Sequence, residues 1–120
     1  MNMRLCPKDL VVALATRSSC EYRASALIRD GVGVISVGWN GPGHHGFGEH
    51  AEAAAIRRAN KRRLRGATLY VATERGTGRN PIYSRPCIAC CRKLIRRWGI
   101  RRVIWREKKG IWVCEDWLAS

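Results

Sequence analysis

Segments of helical and strand character alternate through the second half of the chain. Ala51 to Leu64 is rich in Ala, Glu and Arg and predicts a helix that Gly66 ends. Ala67 to Thr73 reads as a buried strand. Pro86 opens a second helix running to about Trp98, with Gly99 closing it. Arg101 to Trp105 is the next strand. Such alternation requires parallel crossovers, so the expected architecture is a mixed α/β sheet sandwiched by helices.

The first half supplies the remaining layers. Leu10, Ala13, Leu14 and Arg17 recur at helical spacing, which predicts a short amphipathic helix over Asp9 to Arg17. Arg23 to Arg29 alternates in the manner of an edge strand. Asp30-Gly31 is a hairpin signal, and Val32 to Trp39 is the paired strand. Asn40-Gly41-Pro42-Gly43 breaks it, and the loop continues through His44-His45 to Gly48. Glu74 to Arg85 reads as a long polar loop. At the C-terminal end, Ile111 to Val113 is a candidate strand and Glu115 to Leu118 a short helix. There are no repeats, low-complexity tracts or linkers, so residues 1–120 are expected to form a single domain.

Composition narrows the function classes. No apolar run approaches a membrane span, and Met1 to Lys8 lacks the apolar core of a signal peptide, so a cytoplasmic location is expected with no membrane partner. The formal net charge is +14. The excess concentrates in Arg57 to Arg65 and Arg92 to Lys109, which favours anionic partners such as nucleotides or single-stranded nucleic acid. Of the six cysteines, three crowd into Cys87-Ile88-Ala89-Cys90-Cys91. That clustering suits a metal site better than a disulfide framework. Cys6, Cys20 and Cys114 read as small apolar residues.

His50-Ala51-Glu52 and Pro86-Cys87-Ile88-Ala89-Cys90 each stand where a loop becomes a helix. Cys87 and Cys90 share one face of a first helical turn, where the helix terminus favours thiolate. With His50 they make three ligands, leaving a fourth tetrahedral position for water, the pattern of catalytic zinc. Zinc lowers the pKa of that water. Glu52 faces it without being a ligand and serves as base, then acid. Together the two groups carry the signature of a zinc-dependent hydrolytic deaminase. A closed structural zinc site completed by Cys91 or His44 is the competing reading. Cys91 follows Cys90 by about a quarter turn of helix, so packing is its expected role.

Several further pieces occur in the order of the cytidine deaminase superfamily: Arg17-Ser18-Ser19-Cys20, Gly38-Trp39-Asn40-Gly41-Pro42, Gly66-Ala67-Thr68-Leu69-Tyr70-Val71 and Gly99-Ile100-Arg101-Arg102-Val103-Ile104. The chain resembles that superfamily over nearly its whole length, and within it the deoxycytidylate deaminase-like proteins. The resemblance implies a three-layer α/β/α fold with a five-stranded mixed sheet. It implies zinc on His50, Cys87 and Cys90, proton transfer by Glu52, a substrate-sugar contact from Asn40 and a base contact from the Ala51 backbone. It also implies association into homo-oligomers. The 74–85 loop is longer than the family pattern, and its Arg75, Arg79 and Arg85 are candidate phosphate or strand contacts. The expected reaction is dCMP to dUMP, or a related cytosine nucleotide or nucleoside. Cytosine in single-stranded nucleic acid, or adenosine in tRNA, is the alternative substrate. A non-enzymatic zinc module that binds nucleic acid is the third reading.

Overall fold

The protein is described here from a computed structural model, which covers residues 6–19, 22–41, 50–75, 81–82, 91–108 and 110–117. The first helix, α1 (Pro7–Leu14), begins on its proline and runs into a 3₁₀ turn over Ala15–Arg17. The strands are β1 (Tyr22–Arg29), β2 (Val34–Trp39), β3 (Thr68–Arg75), β4 (Pro81–Ile82), β5 (Arg102–Lys108) and β6 (Ile111–Asp116). Helix α2 (Ala51–Arg58) and helix α3 (Cys91–Arg97) complete the set. The sheet order is β2-β1-β3-β5-β6, with the short β4 paired to β3. Among the described residues, β3 and β5 pair in parallel and the other pairs are antiparallel. Five principal strands thus form a mixed sheet between helices.

Alternating side chains divide the interior between the two faces of the sheet. Leu27, Tyr70 and Ala72 face Val11 of α1. Ala26, Ile28, Leu69, Val71, Val103 and Trp105 face the opposite way, toward Ala55 and Ile56 of α2 and Ile95 of α3. The result is three layers, α/β/α. Among the described residues no helix is long and apolar enough to cross a membrane.

Several expectations change. β1 is an interior strand, flanked by β2 and β3, and β2 is the edge. Its run Ser25-Ala26-Leu27-Ile28 is buried throughout because helices cover both faces. Ser25 joins the interior because its hydroxyl donates to the Val11 carbonyl. The residues from 74 to 85 are not all loop: Glu74 and Arg75 belong to β3, and Thr73 and Glu74 pair with Ile82 and Pro81. The segment after Ile111 stays extended through Asp116 instead of forming a helix, because it pairs along β5. Cys6 and Cys114 are exposed rather than packed, and Cys20 lies outside the described residues.

Helix α2 also stops short of Leu64. Ala59 leaves the helix at ψ 152°, and Asn60 accepts from the Arg62 amide at 3.1 Å, opening a 3₁₀ turn over Lys61–Arg63. The break lets Leu64 reach the core, where it is wholly buried. It also aims Arg63 at the β1–β2 turn, where its Nε and Nη2 each donate to Asp30 at 2.9 Å. Asp30 Oδ1 accepts in addition from the amides of Val32 and Gly33, at 2.9 and 3.1 Å.

The seating of α2 depends on Gly38. A Cβ there would stand 2.5 Å from Ala55 N and 2.6 Å from Ala51 O. The backbones of β2 and α2 are therefore in direct contact, and Ser36 Oγ adds a bond to Ala55 O at 2.8 Å.

Two measurements check this account. Gly38→Ala forces α2 off the sheet and should destabilise the fold by about 3 kcal/mol or more in denaturant melts; an unchanged midpoint would contradict the contact. The Arg63 guanidinium holds the Asp30 carboxyl well below its usual range, helped by the Gly33 and Val32 amides. A depressed carboxylate contributes stability above its unfolded pKa and loses it as pH falls. The stability difference between wild type and Asp30→Asn should therefore be constant above about pH 5 and shrink below about pH 4; a difference that grows on acidification would refute the assignment.

Candidate active site

The strand directions bring two helix starts to one end of the sheet. β2 delivers the chain toward α2, and β3 and β4 precede α3. His50 is the N-cap of α2, with extended backbone at φ −70° and ψ 151°. Its carbonyl accepts the first helical bond, from Ala54 N at 2.9 Å. Ala51, the first helical residue, is wholly buried beneath Gly38. Glu52 follows in the first turn, where the helix dipole favours negative charge.

His50 is exposed, whereas Glu52 is only 6% exposed. Burial raises the Glu52 pKa; its own backbone amide, the Cys91 thiol and the charge of His50 act in the opposite direction. Cys91, the first described residue of α3, is buried. Its Sγ stands 3.1 Å from His50 Nδ1 and hydrogen-bonds the Glu52 carboxyl. The expectation that Cys91 merely packs is thus incomplete: it belongs to the core cluster and also touches both residues of the first motif. Its spacing carries a signal for this: on a helix opening at Pro86, as the sequence predicts, residues four apart such as Cys87 and Cys91 would share a face as closely as residues three apart.

This donor set suits zinc. His50 offers an imidazole nitrogen, a donor zinc favours, and the Cys91 thiol 3.1 Å from its Nδ1 is a partner of the kind that orients a zinc-binding imidazole. Cys87 and Cys90 lie outside the described residues, as do Arg79 and Arg85. Of Arg75 the backbone is placed, at the end of β3 opposite Tyr22. Among the described residues no three His, Cys, Asp or Glu side chains form a metal group on their own.

Asn40 closes the β1–β2 ladder. Its amide donates to Ala24 O at 3.0 Å, and its side-chain oxygen accepts from Ala24 N at 2.9 Å. This holds Asn40 at the same end of the sheet as His50, just past the last residue of β2.

A family model, the cytidine and deoxycytidylate deaminase zinc-binding region, matches residues 8–107. Comparison with curated proteins finds no match. Among solved structures, cytidine deaminase from Burkholderia pseudomallei superposes with a TM-score of 0.72 at 19% identity, covering 92% of this chain and 89% of that one. The dCMP deaminase of cyanophage S-TIM5 gives 0.62 at 21% identity, with 86% and 84% covered. Cytidine deaminase from Mycobacterium leprae gives 0.59 at 20% identity, with 93% and 91% covered. These structures share the fold, and the family match spans most of the chain. The chain belongs to the cytidine and deoxycytidylate deaminase zinc-binding family and is a hydrolytic deaminase.

Proposed function

We propose that residues 1–120 act as one deaminase domain that converts a cytosine nucleotide or nucleoside to its uracil form, with dCMP to dUMP the leading reaction. The observation that carries this reading is the buried Glu52 carboxyl beside His50, at the start of α2. His50, Cys87 and Cys90 would hold the zinc. When bound there, zinc supplies the Lewis acidity that makes water nucleophilic near neutral pH.

The remaining chemistry falls to the chain. A carboxyl whose pKa is raised by burial both takes and returns a proton readily. Glu52 accepts one proton from the attacking water and delivers it to the pyrimidine ring nitrogen. It then carries the second water proton to the exocyclic amine, which departs as ammonia, while the water oxygen remains on the ring carbon. The Ala51 backbone contacts the base at the helix start. Asn40 has its side-chain oxygen engaged by Ala24, so its contact to the sugar would come from the amide nitrogen as donor.

Support for the nucleotide comes from the resemblance to the cyanophage enzyme, one structure of which is a complex with dCMP and dUMP, at a TM-score of 0.55. Arg75, Arg79 and Arg85 are our candidates for the phosphate, which guanidinium groups pair bidentately. A cytoplasmic setting suits the use of free nucleotides and of reduced thiols.

The zinc-loaded protein should release ammonia from dCMP, assayed beside dCTP, cytidine and a cytosine-bearing oligonucleotide. Silence on every free cytosine compound would end this reading, and turnover confined to the oligonucleotide would replace it. Glu52→Gln should lower kcat by about 10²–10⁴-fold with zinc content intact; retained turnover would remove Glu52 from the mechanism. Cys91→Ala should weaken zinc affinity about tenfold, read by chelator competition, because a side chain touching a ligand orients it; wild-type affinity would leave Cys91 a packing residue only.

A further inference from the structure

Helices α2 and α3 begin at the site and end away from it. Glu52 is in the first turn of α2 and Arg58 in its last; Cys91 is the first described residue of α3 and Arg97 its last. At about 1.5 Å of rise per residue, each arginine lies about 9 Å along its axis from the site. The chain past α2 stays at that far end, where Gly66 N donates to Gly99 O at 2.7 Å. Gly99, at φ 72°, is the turn that ends α3, and it lies against Arg65. Half-buried Trp98 has the Lys61 ammonium over its ring at 5.9 Å and the Arg97 guanidinium at 5.7 Å. Lys61, Arg65 and Arg97, distant in sequence, therefore gather around Trp98 and Gly99, with Arg65, Arg97 and the neighbouring Arg62 exposed, whereas Arg58 turns to the Trp39 ring at 4.4 Å.

This patch has little answering charge. No Asp or Glu occurs between Glu52 and Glu74, or between Glu74 and Glu107. Arg63 is answered by Asp30 and Arg101 by Asp116, from other elements. Arg106 is not part of the surface at all: it is buried and donates to Thr73 O and Glu74. A surface built for solubility intersperses both signs, whereas a single-sign field steers an anionic partner. An indole ring framed by cations matches a partner that presents flat bases along with phosphates.

We propose that the far ends of α2 and α3 bind single-stranded nucleic acid, at a surface separate from the deaminase site. Phosphates rest on Arg62, Arg65 and Arg97, and a base stacks at the Trp98–Arg97 pair. The patch docks the enzyme on a strand without presenting that strand to Glu52, so it does not depend on which cytosine compound is deaminated.

The test uses the full chain and a labelled oligo(dT), which contains no base for deamination, followed by fluorescence anisotropy across a salt series. With three phosphate contacts, log K should fall against log[salt] with a slope of about −2. The double variant Arg62→Glu/Arg97→Glu should bind about tenfold or more weakly with a flatter slope. Arg62→Lys/Arg97→Lys should keep most of the binding, and both variants should retain wild-type melting and deamination. Glu52→Ala and saturating dCMP should leave oligo(dT) binding unchanged. The proposal is overturned by absence of salt-dependent binding, by full binding in the charge-reversed variant, by displacement with dCMP, or by duplex DNA competing better than the single strand.

Discussion

The backbone-to-backbone contact between β2 and α2 is the constraint on which the site rests. It exists because position 38 carries no side chain: any Cβ would meet Ala55 N and Ala51 O inside contact distance. That approach sets the height of α2 above the sheet. His50 caps the helix, Glu52 occupies its first turn, and Ala51 is pressed between them against the strand. The burial that shifts Glu52 follows from the same seating. A protein interior packs like a crystal, so a displacement of the helix would carry all of these residues with it.

Charge pairs then hold the periphery in register with this centre. Asp30 gathers the β1–β2 turn and the 3₁₀ segment after α2 through one forked Arg63 contact. Glu74 and Arg106 join β3 to β5 at 3.3 Å, near the end of the sheet that bears the site, with side chains 12% and 7% exposed. Asp116 of β6 meets Arg101 just before β5. These pairs join a turn to the 3₁₀ segment, two interior strands to each other, and the edge strand β6 to the residue before β5, so the strongly basic chain commits several of its acids to architecture.

The sequence conveyed the layers well and the boundaries less well. Alternating helical and strand periods made α2, β3, α3 and β5 readable, since each buries a stripe or face of its own. β1 looked like an edge because Ser25 and Arg29 break its apolar run; only the neighbouring Val11 carbonyl shows that Ser25 has an interior partner. The excess length assigned to α2 came from Ala and Arg, good helix formers whose propensity does not register the core's demand for Leu64 or the pull of Asp30. The terminal helix expected at Glu115 lost to ladder bonds with β5, a long-range contact no local window contains. In the candidate site, the sequence expected His50 and Glu52 where a loop becomes a helix, and α2 does begin there. Cys91 packs in the core as expected, but its angle reckoned from Cys90 gave no sign of its contact with His50 on another helix.

The parallel pairing of β3 with β5 has a consequence for how the molecule forms. The β1–β2 and β5–β6 hairpins join near neighbours in sequence and close quickly. Pairing β1 with β3 instead closes a long loop that contains His50 and Glu52, and pairing β3 with β5 closes a second that contains Cys91. Loop closure of that length is entropically costly and comes late, once non-local contacts can reward it. The residues of the site are therefore strangers in the early folding ensemble, and they meet only when both crossovers are in place. Local fraying can spare them at the hairpin turns, but opening of β3 dissolves the site from both sides at once.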